Sequence, residues 1–197
     1  MSRNTKLKTT EKILILCEGE TEEGYINGLL SEYNLSTSNV EVQSLNGGGY
    51  SSVKKFLDKN KKILNIVLVV MDLDRSSSVS NEKAKLKSLI KTLENLNVKN
   101  NIFLTYPNFE TWVAACLNCD EMELKKKGYQ KGNAVYKFIR NNQGSYKTGV
   151  DVLSGREVYF EKKDYRKGVF YEEQIDKKHS TLYYFIDYLS GIITRKD

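Results

Sequence analysis

Two apolar runs, Ile13-Leu14-Ile15-Leu16-Cys17 and Ile66-Val67-Leu68-Val69-Val70-Met71, restrict the folds open to this chain more than any other feature. Neither run alternates with polar residues, so each reads as a strand covered on both faces, as in a parallel sheet clad by helices. Each run also stops abruptly at acid. The first breaks into Glu18-Gly19-Glu20-Thr21-Glu22-Glu23, the second into Asp72-Leu73-Asp74-Arg75. Ligands of open parallel sheets sit beyond the carboxyl ends of the strands. Two buried strands that deliver carboxylates at that edge suggest a pocket for a hard, oxygen-preferring cation such as Mg²⁺.

These acids do not all carry the same weight. Glu20, Glu22 and Glu23 suit the first turn of a helix, where negative charge complements the helix dipole. Asp72 and Asp74 are harder to explain that way. Alternate strand residues share a side, so the D-x-D spacing sets two carboxylates towards one site, and their repulsion calls for a cation or a basic partner.

The rest of the pattern predicts alternating strands and helices. Five β segments and several helices can be read. A helix over about Glu22 to Tyr33 carries Tyr25, Ile26, Leu29, Leu30 and Tyr33 at helical spacing, and a strand over Val40 to Leu45 alternates enough to lie near an edge. Gly47-Gly48-Gly49 turns the chain into a helix over Ser51 to Asn60; a plain turn explains it better than a phosphate cradle, since it matches no phosphate-loop spacing. A helix over Asn81 to Asn95, a strand over Asn101 to Tyr106 and a helix over Phe109 to Leu117 follow, with Trp112 assigned to the core. The expected fold is α/β: a mostly parallel sheet flanked by helices, with a basic C-terminal appendage. Residues 1–10 read as a polar, flexible tail, 11–119 as the core, and 120–197 as a basic, tyrosine-rich subregion whose last helix, about Ser180 to Ile193, packs back on the core.

Charge and rare residues narrow the chemistry. The net charge is +6, and residues 125–167 hold twelve Lys or Arg against four Asp or Glu, interleaved with Tyr129, Tyr136, Phe138, Tyr146, Tyr159, Phe160 and Tyr165. Such a segment suits phosphate contacts and base stacking, with Lys126, Lys131 and Lys147 as candidate nucleic-acid contacts; a solvated lysine face is the plainer reading. His179 is the only histidine and lies in a charged stretch, which leaves a Ser-His-Asp or Cys-His site without support. Cys17, Cys116 and Cys119 are an odd number for a disulfide scaffold and point to a reducing, cytoplasmic setting; Cys116-x-x-Cys119 lacks the second pair a zinc site needs. No apolar run approaches the ~20 residues of a membrane span, and no signal peptide opens the chain.

The ordered motifs resemble a known family. Cys17-Glu18-Gly19-Glu20 followed by Thr21-Glu22 and Tyr25, then Asp72-Leu73-Asp74, then Pro107-Asn108-Phe109-Glu110-Thr111-Trp112, look like the RloB-like branch of proteins with a Toprim domain, related to the OLD-family nucleases. The resemblance covers about residues 11–119. It implies that Glu18, Asp72 and Asp74 are catalytic and bind Mg²⁺ or Mn²⁺, with Glu18 a possible general acid or base, and that Glu22 and Glu110 are candidates for a second metal. Tyr106-Pro107-Asn108 stands where the family has Asn-Pro before Phe-Glu, so Glu110 fits a first-turn helix acid as well as a ligand.

The function so implied is a Mg²⁺-dependent nuclease of bacterial anti-phage defence, with an ATPase partner from the same locus. The alternative is a non-catalytic regulatory subunit that holds nucleotide or partner on the same fold, and a partner-restrained tRNA nuclease is a third reading. A topoisomerase would need a separate domain to present a nucleophilic tyrosine, and the chain has no room for one.

Overall fold

Residues 11–36, 38–73, 76, 78–106, 108–110, 113 and 180–194 are described by the computed structural model. Both unbroken apolar runs lie inside one parallel sheet. Strands β1 (Ile13–Cys17), β2 (Val40–Ser44), β3 (Ile66–Asp72) and β4 (Lys99–Thr105) lie in the order β2-β1-β3-β4, each parallel to its neighbour. The two runs occupy the centre, where helices cover both faces. Val67, Leu68, Val69 and Val70 of β3 and Ile13, Ile15, Leu16 and Cys17 of β1 are fully buried. The more alternating β2 lies at one end of this order, as its sequence predicts.

Helices α1 (Glu20–Glu32), α2 (Gly49–Asn60) and α3 (Ser80–Glu94) connect the strands, and each buries one apolar stripe. These are Tyr25, Ile26, Leu29 and Leu30 on α1, Tyr50, Val53 and Leu57 on α2, and Leu86, Leu89, Ile90 and Leu93 on α3. The helices α1 and α2 start two residues earlier than their periodicity predicts. On α1 the extra turn is closed by Glu22, whose Oε2 accepts the Gly19 amide at 3.1 Å. On α2, Gly48 at φ +89° serves as the N-cap and Gly49 joins the helix; a left-handed cap is open to glycine at little cost.

The path of the chain diverges between β1 and β3. From β1 it leaves through α1 to one side, and from the adjacent β3 it leaves through α3 to the other. Right-handed crossovers then put α2 and α3 on one face and α1 on the opposite face. Accordingly α2 packs on α3, whereas α1 lies against β1 and β2. Adjacent strands whose connections diverge form a topological switch point, where open α/β sheets bind ligands. That point lies between the carboxyl ends of β1 and β3.

A C-terminal segment returns to the free side of β4. Thr181 donates its amide to Leu104 O at 2.7 Å, and its Oγ1 accepts the Leu104 amide at 2.9 Å. Ser180 Oγ accepts the Tyr106 amide at 2.9 Å, and β4 ends one residue earlier, at Thr105, the last residue in register with β3. After a 3₁₀ turn (Leu182–Tyr184), α4 (Phe185–Thr194) packs Phe185 and Tyr188 edge-on to Phe103, with ring centroids 5.2 and 5.7 Å apart. The last helix thus packs on β4. No helix among the described residues is long and apolar enough to cross a membrane.

Candidate metal centre

Glu18 follows β1 directly and Asp72 is the last residue of β3, so both stand at the switch point. The register Cys17↔Val70 makes β1 end two residues short of Asp72, and Glu18 fills the gap. Its Oε2 lies 3.5 Å from the Asp72 amide, at the outer limit of a hydrogen bond. Asp72 is held from the other side by β4. Register pairs it with Thr105, and Thr105 Oγ1 donates to Asp72 Oδ1 at 2.6 Å.

Electrostatics confirm that the acids crowd together. Burial above all, with Glu22, Glu18 and Glu110 adding to it and the Thr105 hydrogen bond opposing, lifts the Asp72 carboxyl from 3.8 to about 8. Glu22, 7 % exposed, is likewise raised by burial, with Glu18 and Glu110 adding to the shift and backbone hydrogen bonds opposing it. Glu18, Glu22, Asp72 and Glu110 therefore share one region of negative potential. They differ in attachment: Glu22 is committed to the Gly19 amide as the α1 cap, and Glu110 is exposed on the helical residues after Asn108. Glu23 is separate, accepting the Ser44 amide at 3.1 Å and so tying α1 to the end of β2. Burial raises the Cys17 thiol well above its usual value, with Glu22 and Glu23 adding to the effect; this leaves it an inert core residue.

Oxygen-only donors of this kind fit a hard cation, whose charge would offset the burial and acid neighbours that raise Asp72. Among the described residues, however, no three Asp, Glu, Cys or His side chains are grouped so as to hold a metal ion. Asp74, the expected third ligand, lies outside the described residues, as do Lys126, Lys131, Lys147, Trp112, Cys116, Cys119 and His179. Asp72 itself closes β3.

Two site residues escaped the sequence reading. Thr105 could have been found by sliding β4 against β3 until both carboxyl ends met. Tyr50, 5 % exposed on the first turn of α2, donates to Asp72 O at 2.6 Å, with Leu73 O at 3.0 Å and Ser76 Oγ at 3.2 Å. Nothing in its local sequence separates it from an ordinary core tyrosine. The glycines before it are a conformational device: Asn46, Gly47, Gly48 and Gly49 all have positive φ, and the Gly47 amide donates to Glu18 O at 2.8 Å.

The family model of RloB-like proteins matches residues 13–188, which takes in every described strand and the start of α4. The chain belongs to the RloB-like family. No curated protein and no solved structure matches it significantly.

Proposed function

We propose that this RloB-like protein is a Mg²⁺-dependent nuclease with a Toprim-like core, hydrolysing phosphodiester bonds in nucleic acid. The observation that carries the reading is the convergence of Glu18 and Asp72 at the switch point, with Asp72 raised to about 8 by burial and neighbouring acids. Glu18 and Asp72, joined by Asp74, would hold the cation; Glu22 and Glu110 would deepen the potential that attracts it. A divalent ion bound there supplies a Lewis acid that polarises a phosphoryl oxygen and acidifies water.

The chain's own residues do the rest. Thr105 holds Asp72 Oδ1 and would orient the carboxylate that binds the ion. Burial and the neighbouring acids favour protonated Asp72, and a bound cation would favour its carboxylate. Glu18 stands beside Asp72 to serve as general acid or base. The twelve basic residues against four acidic ones in 125–167 support phosphate binding by Lys126, Lys131 and Lys147. The biological setting proposed is cytoplasmic anti-phage defence with an ATPase partner.

Cleavage of DNA and RNA by the purified full chain in Mg²⁺ or Mn²⁺ tests this. Wild type should cut, and chelation, Glu18→Gln or Asp72→Asn should stop it. A chain that binds nucleic acid but cuts nothing, alone or with the ATPase, is the regulatory subunit instead.

A further inference from the structure

The geometry points to Tyr50 as a positioning residue: we propose that its hydroxyl fixes the main chain at Asp72 and so sets how tightly the acidic edge takes a divalent cation. The proposal rests on the metal reading above and adds to it a residue that carries no charge and touches no ion. Asp72 poses a specific structural problem. It is the last residue of β3, and β1 ends opposite Val70, so the sheet on that side offers Asp72 no strand partner. Its carbonyl is met instead by Tyr50, at 2.6 Å.

The same phenol gathers the turn that follows. Leu73 O lies 3.0 Å and Ser76 Oγ 3.2 Å from the Tyr50 hydroxyl, Ser76 Oγ donates to Leu73 O, and the Ser76 amide closes the turn on Leu73 O at 3.0 Å. A phenol has one proton to give, and the shortest contact, to Asp72 O, is its natural acceptor. Tyr50 reaches this point because the positive-φ glycines reverse the chain between β2 and α2, leaving it on the first helical turn beneath the sheet edge. Asp72 is thereby held twice, by Thr105 at the carboxylate and by Tyr50 at the backbone. Metal ligands depend on such outer partners for their aim, and losing one commonly weakens binding by about 10- to 100-fold.

Tyr50→Phe keeps the ring in the core and removes only the hydroxyl. Mn²⁺ alone serves as the probe, titrated by electron paramagnetic resonance against the full chain well below its melting temperature. Val53→Ala, a cavity on the same helix at a site 1 % exposed, is the control for lost stability. Tyr50→Phe should bind Mn²⁺ about tenfold or more weakly and exchange its Leu73 and Ser76 amides faster. Val53→Ala should melt lower yet bind as wild type does. Equal affinity in wild type and Tyr50→Phe overturns the proposal, as does an equal loss in Val53→Ala, which would make the effect one of stability. A wild-type chain that takes up no Mn²⁺ overturns the metal reading itself, and the role of Tyr50 with it.

Discussion

Thr105 Oγ1 donates a 2.6 Å hydrogen bond to Asp72 Oδ1 across the last register pair of β3 and β4. The contact joins a hydroxyl that is 1 % exposed to a carboxyl that burial has lifted to about 8. Among the described residues it is the interaction that favours the ionised form. Two carboxyl ends brought level by a parallel register thus create a site that neither strand contains alone.

Thr105→Val should push the Asp72 pKa further up and weaken Mn²⁺ binding at pH 7, because the hydrogen bond favours the carboxylate. Valine keeps the shape, so the folded state should lose only about 1 kcal/mol. Thr105→Ser should restore affinity. Binding isotherms at pH 6, 7 and 8 decide it: the defect should shrink towards pH 8 and beyond, where deprotonation no longer limits binding. A pH-independent defect would mean that Thr105 merely packs.

The pH dependence of stability has a definite sign. The folded pKa of Asp72, about 8, exceeds its unfolded value near 3.8, so the folded state binds the extra proton. The stability that this provides is complete below the unfolded value and is lost as pH rises towards 8, by up to about 1.4 kcal/mol per pH unit. Glu22 is shifted in the same direction and adds to the trend. Asp72→Asn removes the larger part while keeping an acceptor for Thr105. Its melting temperature should exceed that of wild type at pH 8, with the gap closing towards pH 5, while cleavage falls by orders of magnitude. A constant or reversed gap would show that Asp72 is not a crowded acid.

The central strands and their acids were legible because burial on both faces and an abrupt polar stop are written in consecutive residues, as in Val67 to Asp72. Helix stripes such as Tyr25, Ile26, Leu29 and Leu30 were legible for the same reason, since periodicity is a local property. What stayed hidden depends on register and on turns. Thr105 acquires its role only when β4 is set against β3, and Tyr50 only when the Asn46–Gly49 turn returns the chain beneath Asp72.

Gly19 should prove a packing requirement of the acidic motif. A Cβ there would meet Glu22 Oε2 at 2.9 Å, the atom that accepts the Gly19 amide. The backbone at φ −134° suits any residue, so the constraint is space and not strain. Gly19→Ala should move the flexible Glu22 carboxylate, costing about 1 kcal/mol from the lost cap, and should lower Asp72's pKa by withdrawing one neighbouring charge. Calorimetry and the pH midpoint of Mn²⁺ binding would report both. An unchanged midpoint would remove Glu22 from the group that acts on Asp72.

The lysine-rich stretch offers the sharpest test of the substrate class. Residues 125–167 carry a local balance of +8, from twelve basic and four acidic residues, in a chain whose net charge is +6. A solvated face and a phosphate-binding face make different demands on salt. Each lysine that displaces a condensed counterion from duplex DNA adds about 0.9 to the slope of log affinity against log salt. Reversing Lys126, Lys131 and Lys147 to Glu together should therefore weaken binding most at low salt and flatten that slope by about two to three. Binding measured by fluorescence anisotropy between 50 and 200 mM salt, without divalent ion so that nothing is cut, isolates this term from chemistry. An unchanged slope would assign these charges to solvent and move the search for the nucleic-acid contact to other basic residues of the chain.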